Sequence, residues 1–397
     1  MLTLDNIYKA NYVLKDIIRK TDVIYAPKLN NKANIYLKTE NLQITGSFKV
    51  RGAYYKMSNL TKEEKERGVV ACSAGNHAQG VALAAQKSGI KATICLPDNA
   101  PISKVEATKS YGAEVCLVEG VYDDAYKKAL ELKENCGYTF IHPFDDEDVI
   151  AGQGTIGLEI IEQVKNLDAV FVPIGGGGLI SGIAFAIKSL NPHVKIYGVQ
   201  ATGAPSMKKS IDNNEIGELK SVSTIADGIA VKKPGVNTFN ICRKYVDDIV
   251  TVTDDEISAA ILALMEEQKL VTEGAGATAV AAAMFNKVDI EGKNVVCILS
   301  GGNIDVTILS RVIKRGLSMT GRTAQLLIEL VDKPGQLKHV SRIIADLGGN
   351  VIEVHHERAN EGSDVNGCYL RIVLETKNYE HIKEIQEALI DFGFKLI

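Results

Sequence analysis

Lys49 lies in Gly46-Ser47-Phe48-Lys49-Val50-Arg51-Gly52, between an aromatic ring and small residues, on the approach to a helix. An apolar, partly dry setting disfavours an ammonium ion. The ε-amine there sheds its proton more readily and becomes a nucleophile that can condense with an aldehyde. Taken alone, the segment also suits an amphipathic lysine snorkelling from a helix start.

Three other segments carry matching chemistry. Cys72-Ser73-Ala74-Gly75-Asn76-His77-Ala78-Gln79-Gly80 follows the strand-like Val69-Val70-Ala71 and opens the alanine-rich run from Val81 to Gln86. Strand, tight turn and helix would aim free backbone N–H groups and the positive end of a dipole at an anion, a preference of roughly 0.3–1 kcal/mol at exposed sites. A substrate carboxylate fits there, cradled by Ser73, Ala74, Gly75, Asn76 and His77; an ordinary capped helix is the bland alternative. Gly175-Gly176-Gly177-Gly178-Leu179 follows the apolar strand from Ala169 to Ile174 and precedes a helix from Ile180 to Ser189. Contiguous glycines let the backbone close on a phosphate and present a nest of donors. A dinucleotide site would need spaced glycines and a later acid; Tyr197-Gly198-Val199-Gln200 stands where that acid would be sought. Finally, the apolar Val295 to Leu299 ends in Ser300-Gly301-Gly302-Asn303, which sets a hydroxyl at a strand end.

These four segments, in this order, resemble the fold-type II pyridoxal-phosphate enzymes, and within them the threonine ammonia-lyase (threonine/serine dehydratase) branch, over roughly residues 5–320. The resemblance implies pyridoxal 5'-phosphate as cofactor and Lys49 as the residue that binds its aldehyde. Phe48 would pack on the ring, Gly175 to Gly178 with Leu179 would hold the phosphate, Asn76 would meet the phenolic oxygen and Ser300 the ring nitrogen. A hydroxyl at the nitrogen, in place of a carboxylate, leaves the ring nearly neutral and favours prompt loss of a β-leaving group over transamination. The implied reaction is β-elimination of L-threonine, and also of L-serine, to 2-oxobutanoate or pyruvate and ammonia, in isoleucine biosynthesis or threonine catabolism. The phosphate is the implied acid for the leaving hydroxyl. Serine racemases share most of these motifs but carry a serine where this chain has Ala74, so racemisation is expected to be poor. Their acidic cation ligands near Gln200, Ala204 and Ser206 are largely missing, leaving a monovalent ion as the alternative. A β-replacement synthase is a further alternative.

Strands such as Lys91 to Leu96 and Glu114 to Val118 alternate with helix-length segments such as Ile102 to Tyr111 and Val121 to Cys136. That alternation means α/β layers with parallel sheets. The expected plan is a catalytic domain over 1–320, with a smaller open-sheet subdomain over about 50–145 inserted in a larger one and the site in the cleft between them. After about residue 320 the pattern changes. Strands Thr323 to Val331, Asn350 to Glu357 and Gly367 to Glu375, helices Val340 to Leu347 and Tyr379 to Asp391, and a last strand Phe392 to Ile397 spell βαββαβ, a ferredoxin-like module. With the turn Asp332-Lys333-Pro334-Gly335-Gln336-Leu337, the span 321–397 resembles an ACT domain. That implies an amino-acid effector at a subunit interface, touching Gly335, Gln336, Leu337, Asn350 and Val351, and allosteric control within a homodimer or homotetramer; an oligomerisation module without a ligand is the alternative.

The bulk numbers fit a metabolic enzyme. The chain has 397 residues, 46% of them hydrophobic and 24% charged, enough for two or three cores. A net charge of −4 argues against a nucleic-acid surface. No apolar stretch suits a membrane span or signal peptide. The seven cysteines have no metal spacing and read as reduced thiols in a cytoplasm, and no metal ligands are expected.

Overall fold

Ala169 to Pro173 is apolar throughout, the pattern of a strand covered on both faces, and all five residues are buried. The computed structural model describes residues 1–358 and 367–397. It divides into two units, Met1–Leu309 and Ser310–Ile397.

Numbered along the chain, the strands are β1 (Val23–Tyr25), β2 (Asn34–Lys38), β3 (Val69–Cys72), β4 (Ala92–Pro97), β5 (Glu114–Val118), β6 (Thr139–Phe140), β7 (Ala169–Pro173), β8 (Lys195–Ala201), β9 (Asp248–Val252), β10 (Asn294–Ile298), β11 (Thr323–Val331), β12 (Asn350–Arg358), β13 (Gly367–Glu375) and β14 (Lys395–Leu396). In the first unit, one sheet has the order β1-β2-β10-β7-β8-β9 and is parallel except for β1. The other has the order β5-β4-β3-β6 and is wholly parallel. Its strands fall between β2 and β7 in sequence. Ser73, Gly175 and Ser300 all follow the carboxyl ends of strands, where open α/β sheets bind their ligands.

The large core gathers Val170 and Val172 of β7 with Ile180, Ile183 and Ile187 of the helix Gly178–Leu190. Each of these side chains, taken wholly out of water, contributes roughly 1.5–3 kcal/mol. This fixes the helix, and with it the glycine turn at its head.

The helix Lys49–Ser58 is wedged between two others by missing side chains. A Cβ on Gly52 would lie 2.4 Å from Gln153 Nε2 and 2.7 Å from the Val149 carbonyl, and one on Gly152 would lie 2.6 Å from the Arg51 carbonyl. On the other side, a Cβ on Gly80 would come within 3.0 Å of the Lys49 backbone. Backbone against backbone leaves Lys49 little room to shift.

Arg51 fastens the same helix from below. Its Nε and Nη2 donate to Glu40 at 2.8 and 2.7 Å, and its Nη1 donates to Glu159 at 2.6 Å. Lys38 Nζ donates to the other Glu159 oxygen. Two cations and two anions, all buried, sum to zero charge. Burial alone would raise the Glu40 carboxyl, but the Arg51 guanidinium beside it, joined by Lys38 and the Thr21 hydroxyl, holds it below the usual value. Burial wins at Lys38, lowering its ammonium despite Glu159.

In the second unit the sheet order is β12-β13-β11-β14, antiparallel at every pair, with buried residues of the helices Gln336–Asp346 and Tyr379–Asp391 packed on one face. The division at Leu309/Ser310 falls within a single helix, Val306–Met319. Two element boundaries differ from the sequence expectation. The helix after β11 starts at Gln336 and not at Val340, since Gly335 with φ of 94° caps it directly after the turn. The last strand shrinks to two residues, because Gly393 at φ of 87° ends the preceding helix first.

Candidate active site

Phe48 and Lys49 reach the site through a short zip between two loops. Phe48 N–H donates to the Ser300 carbonyl at 3.2 Å, Gly302 N–H donates to the Gly46 carbonyl at 2.8 Å, and Ser47 bridges Gly301. The end of β10 therefore sits beside the lysine. Lys49 Nζ donates to the Pro143 carbonyl at 2.8 Å and lies 5.3 Å from the centre of the Phe48 ring. Burial pushes its ammonium down to about 8, against the pull of the Glu273 carboxylate. A sizeable neutral fraction follows near pH 8.

Ser73 to His77 form the turn into the helix Asn76–Ser88. Ser73 Oγ accepts from Gly75 N–H at 3.1 Å. Asn76 is held at both ends of its amide: Nδ2 donates to Glu273 Oε1 at 2.7 Å, and Oδ1 accepts from Asn303 Nδ2 at 2.8 Å. One amide hydrogen of Asn76 remains for another acceptor. The His77 ring is committed elsewhere, with Nε2 donating to the Ile141 carbonyl at 2.8 Å. Burial and then the Lys49 charge push it down to about 3, so the ring is neutral.

Gly177, with φ of 99°, turns the chain from β7 into the helix Gly178–Leu190. The Gly176 carbonyl accepts from Thr238 Oγ1 at 2.6 Å, which fixes the turn's outer edge. A Cβ on Gly176 would lie 2.4 Å from the Phe144 ring, and one on Gly178 would lie 2.9 Å from Phe144. Side chains would fill this cradle, and the first N–H groups of the helix are the donors it offers.

All of these residues line one cavity of about 850 Å³: Phe48, Lys49, Ser73 through His77, Gly175 through Leu179, and Ser300. That volume lies within the range of small-molecule sites. A buried amine of lowered basicity, a glycine cradle for a phosphate at a helix head, and a hydroxyl at a strand end suit pyridoxal phosphate. The residues present therefore fit that group.

Three polar residues here had no signal in the motifs. Glu273 caps the helix Gly274–Met284, and burial, then the Asp227 carboxylate, raise it to about 7. His142 Nδ1 accepts from Asp145 N–H at 2.8 Å, while Asp145 accepts from Val236 and Thr238 N–H at 3.0 and 3.1 Å. An acid before the small-residue run Gly274-Ala275-Gly276 was the only hint of Glu273 in the sequence.

The suspected effector residues are not brought together in one chain. Gly335 to Leu337 follow the Val331 end of β11, whereas Asn350 pairs with Glu375, which pairs with Thr323 at the other end. Nine residues of strand separate them by about 27 Å. Asn350 Nδ2 donates to Glu375 Oε2 at 2.7 Å, and Val351 packs on the core of the unit.

Sheet order, cradle and lysine together define a fold-type II enzyme of pyridoxal phosphate, and the chain matches the pyridoxal-phosphate dependent enzyme family over residues 14–301 and the ACT domain over residues 324–391. The chain belongs to the pyridoxal-phosphate dependent enzymes and carries a C-terminal ACT domain. It is 49% identical over 398 aligned residues to the L-threonine ammonia-lyase of Thermotoga maritima, covering 100% of this chain and 99% of that one. Among solved structures, the processed form of threonine deaminase isoform 2 from Solanum lycopersicum is 41% identical with a TM-score of 0.74, over 78% of this chain and 88% of that one. Maize serine racemase is 35% identical with a TM-score of 0.75, over 80% and 98%.

Proposed function

We propose that this chain is an L-threonine ammonia-lyase that also accepts L-serine, releasing 2-oxobutanoate or pyruvate with ammonia. The observation that carries the reading is the single cavity shared by Lys49, the four glycines, the turn from Ser73 to His77, and Ser300. The full-length similarity to the Thermotoga maritima enzyme supports the same substrate.

Bound pyridoxal 5'-phosphate supplies an aldehyde that takes up amines and a ring that accepts electrons released at the α-carbon. Lys49 would hold that aldehyde at rest. Phe48 would flank the ring, the N–H groups from Gly175 to Leu179 would hold the phosphate, Asn76 would offer its second amide hydrogen to the phenolic oxygen, and Ser300 Oγ would meet the ring nitrogen. The turn from Ser73 to Asn76 receives the substrate carboxylate at the head of its helix, while His77, tied to Ile141, braces that turn with its side chain. With the substrate's amine in its place on the bound cofactor, Lys49 Nζ would be free to accept the α-proton, a role suited to an amine near 8. The β-hydroxyl would leave as water with a proton from the phosphate held at Gly175 to Gly178, and the enamine released would hydrolyse to the 2-oxo acid and ammonia.

Ala74 separates this reading from a racemase, since a methyl group in the cavity has no proton to return to the opposite face. A monovalent cation near Gln200, Ala204 and Ser206 is proposed on one feature: Ser206 Oγ is buried without a hydrogen-bond partner among the described residues. An amino-acid effector is proposed at the ACT unit, in a homodimer or homotetramer, because residues about 27 Å apart in one chain meet one ligand only if two copies join. A cytoplasmic setting is proposed from the cysteines, which form no disulfide among the described residues; no helix among those residues is long and apolar enough to cross a membrane.

The test is 2-oxo acid and ammonia release from L-threonine and from L-serine, each with and without isoleucine or valine. Turnover of neither, with the cofactor bound, overturns the assignment. D-serine from L-serine, or a new amino acid from sulfide and an activated serine, would point to the racemase or the synthase. Kinetics indifferent to every amino acid added would remove the effector.

A further inference from the structure

Register in the C-terminal sheet puts three metal-ligating side chains at one end of one face. Cys368 on β13 is opposite Leu330 on β11, and Leu370 is opposite both Ile328 on β11 and His356 on β12. Directly paired residues share a face. Cys368, Leu370, Ile328 and Leu330 all belong to the buried core, so His356 is on the helix-covered side, and Asp332, two residues beyond Leu330, continues it. Two strands and the turn that leaves a third thus deliver a thiol, an imidazole and a carboxylate to the same corner, although Asp332 and His356 are 24 positions apart and His356 and Cys368 are 12 apart. Their ligand atoms lie within 4.8 Å of one another. His356 Nε2 is 3.1 Å from Cys368 Sγ.

We propose that Asp332, His356 and Cys368 bind a divalent transition-metal ion of the zinc type, with water as the fourth ligand. Tetrahedral zinc with its usual bond lengths spaces neighbouring ligand atoms by about 3.4–3.6 Å. The thiol and imidazole already lie near that spacing, and the carboxylate closes the third side within the range that side-chain rotation covers. One thiolate, one carboxylate and a neutral imidazole balance a doubly charged ion. The donor set is too soft for magnesium or calcium, which take oxygen ligands, and its sulfur and nitrogen suit zinc. Cys368 is buried while Asp332 and His356 are exposed, so the ion enters from solvent and keeps one open position there. Binding strips the proton from the Cys368 thiol and passes it to the buffer.

Cobalt(II) reports such a site by the red ligand-field absorption of a tetrahedral centre. Titrated into the full chain with its cofactor bound, and with the exposed Cys136 changed to serine, it should bind at one ion per chain and be displaced by zinc(II). Asp332→Asn and His356→Gln, both at exposed positions, should each weaken binding at least about tenfold. Cys368→Ser should also remove the sulfur-to-metal charge-transfer band; circular dichroism reports whether that core substitution folds, and the two exposed variants decide the matter if it does not. No red absorption in the parent chain, or unchanged affinity in both exposed variants, overturns the proposal and leaves a hydrogen-bonded cluster only.

Discussion

Asn76 Nδ2 donates to Glu273 Oε1 across 2.7 Å, joining the start of the helix that follows β3 to the cap of the helix Gly274–Met284. Asn303 holds the other end of the same amide. The orientation of Asn76 is therefore set by two residues outside its own motif, one of them an acid close to neutrality.

Glu273 should give the protein a pH-dependent weakness. Burial raises its carboxyl to about 7 from an ordinary 4.5; the Asp227 carboxylate adds to this, while Asn76, Lys104 and Lys49 oppose it. A group whose folded value lies above its unfolded one is ionised inside at a cost, so stability falls as the pH rises from about 4.5 to about 7 and then levels. Glu273→Gln should remove that loss, worth on the order of 3 kcal/mol. Thermal unfolding of both proteins near pH 5 and near pH 8 checks it; a difference that does not change with pH counts against the argument.

Lys49→Ala should abolish ammonia release from L-threonine together with the visible absorbance of the bound cofactor. The fold should survive, because the side chain makes one hydrogen bond, to the Pro143 carbonyl. Retained absorbance and turnover in this variant would remove Lys49 from the chemistry.

Gly176→Ala should weaken cofactor binding while leaving the chain folded. Its new methyl group would stand 2.4 Å from the Phe144 ring at the cradle's wall. Overpacking of this kind costs about 1–3 kcal/mol, or roughly five- to 150-fold in affinity. Equilibrium titration with the cofactor measures it, and Phe144→Ala in the same chain should restore part of the loss.

Arg51→Met should destabilise the first unit by about 3–5 kcal/mol, because Glu40 and Glu159 would be left buried without their cation. Arg51→Lys should recover only part of this, since one ammonium cannot reproduce the guanidinium fork between two carboxylates. Denaturant unfolding of the three proteins gives the ranking. Equal stabilities would mean that the cluster is neutral to folding.

Local chemistry made most of the site legible. Lys49 beside Phe48, the glycines after β7 and the small polar turn after β3 each need only a few neighbouring residues to declare themselves, because strand, turn and helix are short-range patterns. Glu273 had no such signature: its importance comes from Asn76, 197 residues away in sequence. The Arg51 cluster was hidden for the same reason, since charged residues read as surface until their partners are known. In the ACT unit, the turn and the strands were visible, but the separation of Gly335 from Asn350 was not, because only pairing register shows which strand ends meet.

The kinds of group present and the order of the elements that carry them are readable along the chain: an amine beside an aromatic ring, a run of four glycines, a small polar turn, and a βαββαβ tail. Tertiary structure decided how basic those groups are and which of them touch. Protonation depends on burial and on charges brought close by other parts of the chain, as at Lys49 near 8 and Glu273 near 7. Those distances exist only once the sheets have paired and the helices have packed.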